Sequence, residues 1–378
     1  MRAFSIQYGL VPRLPVCSWQ TFSGPPDKPL AAVTDHASAI TTTSGRAAIL
    51  LALKTVGVRP GQRVLVPTYH CPTMISPAQA LGAAIMFYPV NDTGGADMAW
   101  LSRADTEGVR AMLAAHFFGI PQPMKKLRAW CDARGIALIE DCAHAFFGCS
   151  DGEPVGTWGD FAIASLTKFF PLNEGGLLLS ARAGLKADQR APRGFYDEAK
   201  TLLDALELAA THERLAGFNR LWQMILRVKN SLRTPGEEAP ATPPGSVLMK
   251  EDARPMTRTA QWIYRHANTA RIIERRRRHY QSLVTKLHHK RRLTALIPHL
   301  PDECAPYVMP LFAQSPETLY ARLRAAHLPV FRWCQVWPGM PALPGDAGRV
   351  WSRHVLQLGC HQDLSDEDIA HIADMITA

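Results

Sequence analysis

Ser165-Leu166-Thr167-Lys168-Phe169-Phe170-Pro171-Leu172-Asn173-Glu174-Gly175-Gly176 links two apolar runs, Phe161–Leu166 (FAIASL) and Leu177–Ser180 (LLLS). The stretch reads as a strand, a tight loop and a second strand. The loop places one lysine three residues after a serine, among apolar and small neighbours. An amine so placed is partly desolvated, which lowers its pKa and makes it nucleophilic. A hydroxyl close by can help hold an ester phosphate. Taken alone the stretch favours an ordinary surface lysine, so the rest of the chain has to decide.

Working outward, Ile136–Asp141 (IALIED) reads as a strand with an acid at its carboxyl end. Arg63–Pro67, Ala84–Val90 and Arg110–Phe117 read as further apolar strands, and Met124–Arg134 as a helix between two of them. Short apolar strands alternating with helices predict an α/β fold with a mostly parallel sheet. Ligands of such sheets gather beyond the carboxyl ends of the strands, where Ser44, Asp141 and Lys168 fall. Thr43-Ser44-Gly45-Arg46 precedes the helix-forming run Ala47–Leu53. The start of that helix offers free N–H groups and a positive dipole, suited to phosphate, although an ordinary N-cap reads the same way.

Residues 1–40 are proline-rich and predict an N-terminal arm. Residues 41–250 form the large domain, with a helical insertion over about 187–250 that includes helices at 198–210 and 221–232. Within it, Thr234–Gly245 (TPGEEAPATPPG) reads as a mobile loop. Residues 251–378 supply a linking helix, long or broken, over 257–287, then a smaller C-terminal α/β domain. Its strands are expected at 307–311 and 329–331, and its helices at 318–326 and 366–376.

A chain of 378 residues with 47% hydrophobic residues can bury one large core and a second, smaller one. No apolar run is long enough to span a bilayer, and Met1–Cys17 has no continuous apolar core of a secretory signal. The eight cysteines form no CxxC pair and read as reduced thiols of a cytoplasmic protein. Cys142, His144 and Cys149 match no zinc spacing. Much of the net charge of +9 sits in Arg271–Arg278 (RIIERRRR) and His288–Arg292 (HHKRR). Those runs predict a solvated helix face or attraction of an anionic substrate, and they lack the pattern of an RNA-binding module.

The ordered set SGRAAI (44–49), HFFG (116–119), EDCAH (140–144), GD (159–160), SLTK (165–168) and GG (175–176) says more than any member. Together these resemble the DegT/DnrJ/EryC1/StrS family of sugar aminotransferases, a branch of fold-type I that depends on pyridoxal phosphate (PLP). The resemblance covers residues 40–180 and continues more weakly through RRRRHY and Leu356–Ile369. It implies that Lys168 carries the cofactor and moves the proton. It also implies that Asp141 faces the pyridine nitrogen and keeps it protonated. His144 would contact the ring hydroxyl, while Gly45, Arg46 and Ser165 would hold the phosphate. The family's ring-stacking aromatic falls on Cys71, so Tyr69 or His70 just before it is expected to stack instead, or Tyr69 to pack in the core. The family's asparagine–tyrosine–arginine segment is not visible.

The resemblance further implies a homodimer that takes an amino group from a donor such as glutamate. The acceptor would be a keto group on a nucleotide-linked sugar. Arg332 and Trp333 in VFRWCQVW suit an anionic acceptor. A non-sugar keto substrate such as a keto-cyclitol is the second reading. A related dehydratase would carry histidine in place of the lysine. A non-catalytic relative at a membrane surface is the third, because Arg220–Arg233 (RLWQMILRVKNSLR) is basic and amphipathic. A helix packed on the core or on a partner explains that segment better.

Overall fold

The computed structural model describes residues 11–24, 29–35, 37–182, 184–185, 188, 190–217, 254–288 and 293–377. The expected helix at 221–232, the loop at 234–245, the amphipathic segment 220–233 and most of the basic run 288–292 lie outside these residues.

Seven strands form the main sheet. They are β1 (Ser38–Thr42), β2 (Arg63–Pro67), β3 (Ala84–Tyr88), β4 (Val109–Ala115), β5 (Ala137–Asp141), β8 (Phe161–Ser165) and β9 (Gly176–Ser180). A small hairpin, β6 (Cys149–Ser150) with β7 (Glu153–Pro154), stands apart. The order is β1-β9-β8-β5-β4-β2-β3. Pairs β3/β2, β2/β4, β4/β5 and β5/β8 are parallel, whereas β9 runs antiparallel to both β8 and β1. The sheet is mostly parallel, as its apolar runs predict, because both faces are covered. Val64 and Val66 of β2 join the larger core, while Leu65 joins a second core with Met112 and Leu138 on the opposite face. Alternate side chains of one strand thus serve two cores.

Helices α1 (Gly45–Val56) and α2 (Pro72–Ala80) follow β1 and β2, and α3 (Met98–Arg103) and α4 (Lys125–Asp132) follow β3 and β4. Helix α1 starts where Ser44 takes an extended backbone and its Oγ accepts from Ala47 N at 3.2 Å. A cap of this kind contributes about 1 kcal/mol. The helix stops at Gly57, whose left-handed backbone lets its N–H close on Leu53 and Lys54 carbonyls.

Helix α5 (Phe195–Thr211) is followed by α6 (Arg258–His266) and α7 (Thr269–Leu287). The linking helix is therefore broken. Asn268 caps the second piece, its side chain accepting from Arg271 N at 2.9 Å. A four-stranded antiparallel sheet follows, β10 (Leu293–Ala295), β11 (Val308–Ala313), β12 (Val330–Phe331) and β13 (Val355–Gly359), ordered β10-β11-β13-β12. Helices α8 (Pro316–Ala325), α9 (Ala347–His354) and α10 (Asp366–Thr377) complete it. Its core, including Leu283, Leu311, Leu323, Leu358 and Ile372, is separate from the two cores of the large sheet.

The described part of residues 11–35 packs along the body. Val16 N donates to Asp363 Oδ2 at 3.2 Å, and Val33 N to the Phe146 carbonyl at 3.0 Å.

Candidate active site

Beyond the carboxyl ends of β4, β5 and β8 lies a cavity of about 330 Å³. Strand β1 runs the same way as β8, since both are antiparallel to β9, so Ser44 at the start of α1 reaches the same edge. The cavity wall includes Gly45, Arg46, Asp141, His144, Ser165 and Lys168. Six of the eight sequence-predicted residues therefore meet in one place.

The close approach of α1 to the lysine loop depends on a glycine. A Cβ on Gly176 would lie 2.3 Å from the Ser44 carbonyl carbon, far inside contact distance. Gly176 pairs with both Thr42 and Ser165, so it sits between the two loops that meet there. A Cβ on Gly45 would likewise lie only 3.1 Å from the Ser165 Cβ. The first-turn N–H groups at Gly45 and Arg46 have no acceptor within the helix and point past its end.

Asp141 is buried at the end of β5 and accepts from Ala143 N at 2.9 Å. Burial pushes its carboxyl pKa up, while the Lys168 charge, the Ala143 N–H and His116 pull it down. Burial lowers the Lys168 amine, and the Asp141 charge opposes that shift. The two groups are thus electrostatic partners across the cavity. The Lys168 amine lies 5.4 Å from the centre of the Tyr307 ring.

His144 is buried with its ring 4.4 Å from Tyr307 and 4.8 Å from Trp333. Burial and the Lys168 charge hold its pKa well below the ordinary value, so the imidazole is neutral. Its Nδ1 has no hydrogen-bond partner among the described residues. A buried polar atom left open beside a cavity awaits a ligand or water.

Behind Asp141 lies a rigid platform. His116 Nδ1 accepts from Gln122 N at 3.0 Å, so Nε2 carries the proton and donates to Glu140 Oε1 at 2.8 Å. Glu140 also accepts from the backbone N–H groups of Gly156, Trp158 and Gly159. His116, Glu140 and Cys142 bring their donor atoms within 4.8 Å of one another. Both imidazole nitrogens there are engaged, and burial raises the Cys142 thiol well above its usual pKa. The cluster is a hydrogen-bonded brace rather than a metal ligand set. Asp160 of the GD pair likewise braces the sheet, accepting from Leu138 N and Arg128.

The expectation that Tyr69 or His70 stacks at the cavity is not met, and Tyr69 takes the alternative place in the core. Tyr69 and His70 do not line the cavity. Tyr69 is fully buried against Phe117, Phe118, Trp333 and Trp351, and its hydroxyl accepts from Gln357 Nε2 at 3.0 Å. His70 is stacked on Phe87 and bonds the Pro67 carbonyl through Nδ1. Pro72 opens α2, leaving Cys71 at its N-cap, and it is Cys71 that faces the cavity, with Thr73 and Met74. Trp333 closes another side. Sequence reasoning assigned no such role to His116, Phe117 or Cys71. The HFFG motif was the signal for the first two.

The basic run also reads differently in three dimensions. Arg271 pairs with Asp363, Arg275 reaches the Leu364 carbonyl, and Arg277 bonds three carbonyls at 301, 302 and 304. Arg276 is fully buried and bonds main chain on both sides of the domain joint. These arginines fasten the small domain instead of forming a solvated face or an open anion site. Arg332 is held by Glu317 and the Arg353 carbonyl and does not line the cavity.

Residues 27–193 match the family model described as the DegT/DnrJ/EryC1/StrS aminotransferase family. A UDP-N-acetyl-3-dehydro-alpha-D-glucosamine 3-aminotransferase of Acidithiobacillus ferrooxidans is 30% identical over 212 residues, 50% of this chain and 56% of that protein. A GDP-perosamine synthase of Vibrio cholerae is 30% identical over 145 residues, 38% of this chain and 40% of the relative. The chain thus spans about half the length, or less, of these curated relatives. Among solved structures, S. venezuelae DesV in complex with a ketimine intermediate superposes with a TM-score of 0.61 at 18% identity, covering 90% of this chain and 84% of that one. The architecture is that of a fold-type I transferase. With the ordered motifs lining one cavity and the match running from the arm through the lysine loop, residues 27–193 of the chain are similar to the DegT/DnrJ/EryC1/StrS aminotransferase family.

Proposed function

We propose that the chain is a PLP-dependent aminotransferase that moves an amino group from an amino acid donor, glutamate in this reading, to a keto group of a nucleotide-linked sugar. The single observation that carries it is the pairing of Lys168 and Asp141 across one cavity that also contains the open Nδ1 of His144. The acceptor class rests on the named activities of the relatives.

The residues present fit the cofactor. The start of α1 and the Ser165 hydroxyl offer donors to a phosphate at one end. Asp141 offers a carboxylate to a ring nitrogen, and His144 Nδ1 a free polar atom. When bound, PLP supplies an aldehyde that condenses with amines and a ring that accepts electrons. Lys168 Nζ is the one amine among the cavity-lining side chains and the group that holds or moves the proton. Its lowered pKa brings proton exchange closer to neutral pH. Asp141 stabilises positive charge opposite it. Phe117, Met74 and Trp333 exclude water around the reacting atoms.

A homodimer and a cytoplasmic location complete the reading. Phe195 (88% exposed) and Tyr196 (77%) on α5, and Trp262 on α6, offer apolar surface to a second copy. Eight free cysteines suit a reducing compartment. Among the described residues, no helix is long and apolar enough to cross a membrane. The test is an absorbance spectrum of purified protein with added PLP, beside Lys168→Ala. The expected result is a band of lysine-linked cofactor in the parent only, and amino transfer from glutamate lost in the variant. A parent protein that takes up no PLP would overturn the reading.

A further inference from the structure

We propose that Arg276, with Gln362 beside it, is the positioning residue for Lys168: its guanidinium holds the lysine loop by the main chain and ties it to the residues that lead into β11 of the small domain. The proposal rests on the reading of Lys168 as the cofactor lysine. Arg276 has no exposed surface. All its hydrogen bonds among the described residues go to uncharged oxygens. Nη2 donates to the Lys168 carbonyl at 2.7 Å, and Nη1 to the carbonyls of Pro306 (3.1 Å) and Tyr307 (3.2 Å). Nε donates to Gln362 Oε1 at 2.9 Å, and Gln362 Nε2 donates to the Phe169 carbonyl at 2.8 Å. The Phe169 ring lies 4.4 Å beneath the guanidinium.

A buried cation without a hydrogen-bonded carboxylate is a poor device for stability. A planar fork with five donors is a good device for fixing several oxygens at once. Two successive carbonyls of the lysine loop, at 168 and 169, are gripped. The loop's own bonds, Phe169 N and Phe170 N to Leu166 O and Leu166 N to Gly175 O, leave both of those carbonyls to the clamp. The same guanidinium holds the carbonyl of Tyr307, whose ring lies against the Lys168 amine. Main chain and resting place of the lysine are thus set by one side chain from α7. The seating of the small domain fixes where the amine points. A displacement near 1 Å costs a positioned catalytic group on the order of a hundredfold in rate.

The test uses Arg276→Lys and Gln362→Met in the full chain. In the protein without cofactor, amide hydrogen exchange at Phe169 and Phe170 is expected to rise about tenfold or more in R276K, with β4 unchanged. With PLP added, the lysine-linked absorbance is retained. The single-turnover spectral change with L-glutamate slows about tenfold to a hundredfold, and its half-saturation stays within about threefold. Q362M keeps the guanidinium and is expected to give a smaller slowing in the same direction. It carries the comparison should R276K not fold. Unchanged exchange at Phe169 and Phe170, or a lowered melting temperature with the single-turnover rate intact, overturns the proposal. A parent that binds no PLP instead removes the functional reading, while the exchange measurement still reports on the clamp.

Discussion

One wall of the cavity comes from the large sheet, and the other from the small domain. The first contains Gly45, Arg46, Asp141, His144, Ser165 and Lys168, all at strand ends or within a few residues beyond them. The second is Trp333 in front, Tyr307 behind His144, and Arg276 behind Lys168. The first is built by local rules. An apolar strand ends, a turn follows, and the side chain at the turn faces the ligand edge. The second exists only because α7 and β11 dock on the lysine loop, through contacts that no local pattern announces. In the proposed reading, the large-sheet wall supplies the chemistry, and the small-domain wall supplies placement and enclosure.

If this division is right, the two walls respond differently to substitution. The largest effect is expected from Asp141→Asn, which keeps the size and removes the charge. Turnover should fall at least about a hundredfold, the scale of losing a preorganised electrostatic partner in a dry site. In the protein without cofactor, the Lys168 amine should titrate at a lower pH, because the Asp141 charge now raises its pKa. Acylation of Lys168 followed by peptide mass spectrometry across pH reads that shift. An unmoved titration would show that the two groups do not sense each other. Trp333→Ala should act more weakly and elsewhere. The half-saturating acceptor concentration should rise roughly tenfold, about 1.4 kcal/mol, with turnover within a few-fold. A collapse of turnover instead would move Trp333 onto the chemical wall.

The same division explains what could be read before any coordinates. The alternation of apolar strands and helices gave the parallel sheet and the cavity edge, and the six cavity-lining residues named from sequence sit at the ends of those strands or directly after them. Tyr69 and His70 belong to such a turn too, yet they point into the core. Their direction is set by Pro72 opening α2, which turns Cys71 outward, and by the aromatic cluster of Phe117, Phe118 and Trp351 that receives Tyr69. Strand β1 was not anticipated, because SAITT carries only a short, half-buried pattern and gains its place by pairing with β9. The arginines of α7 looked solvated because sequence shows their charge and not the carbonyls waiting for it. Arg276 is the extreme case, since nothing in RIIERRRR distinguishes the one guanidinium that is sealed inside.

The smallest expected effect concerns acid, and it sharpens the boundary between the walls. His279 and His361 lie in the joint behind Arg276. His361 Nε2 bonds the Pro12 carbonyl, and His279 Nδ1 bonds the His361 carbonyl. Burial lowers the His279 pKa to about 4, and burial with the Arg276 charge holds His361 well below its ordinary value. Unfolded histidines titrate near about 6.5. Between the two values the unfolded chain binds the extra protons, so stability is full above pH 6.5 and is lost as pH falls toward 4. The melting temperature should drop by several degrees from about pH 7 to about pH 5. His279→Gln should flatten that slope. Acid should raise hydrogen exchange in β11 and the lysine loop before it reaches β4, because the titrating groups sit in the joint and the large sheet has its own core. Simultaneous loss of protection in β4 and β11 would mean that the small-domain wall is no separate unit, and the division of labour drawn between the walls would fail with it.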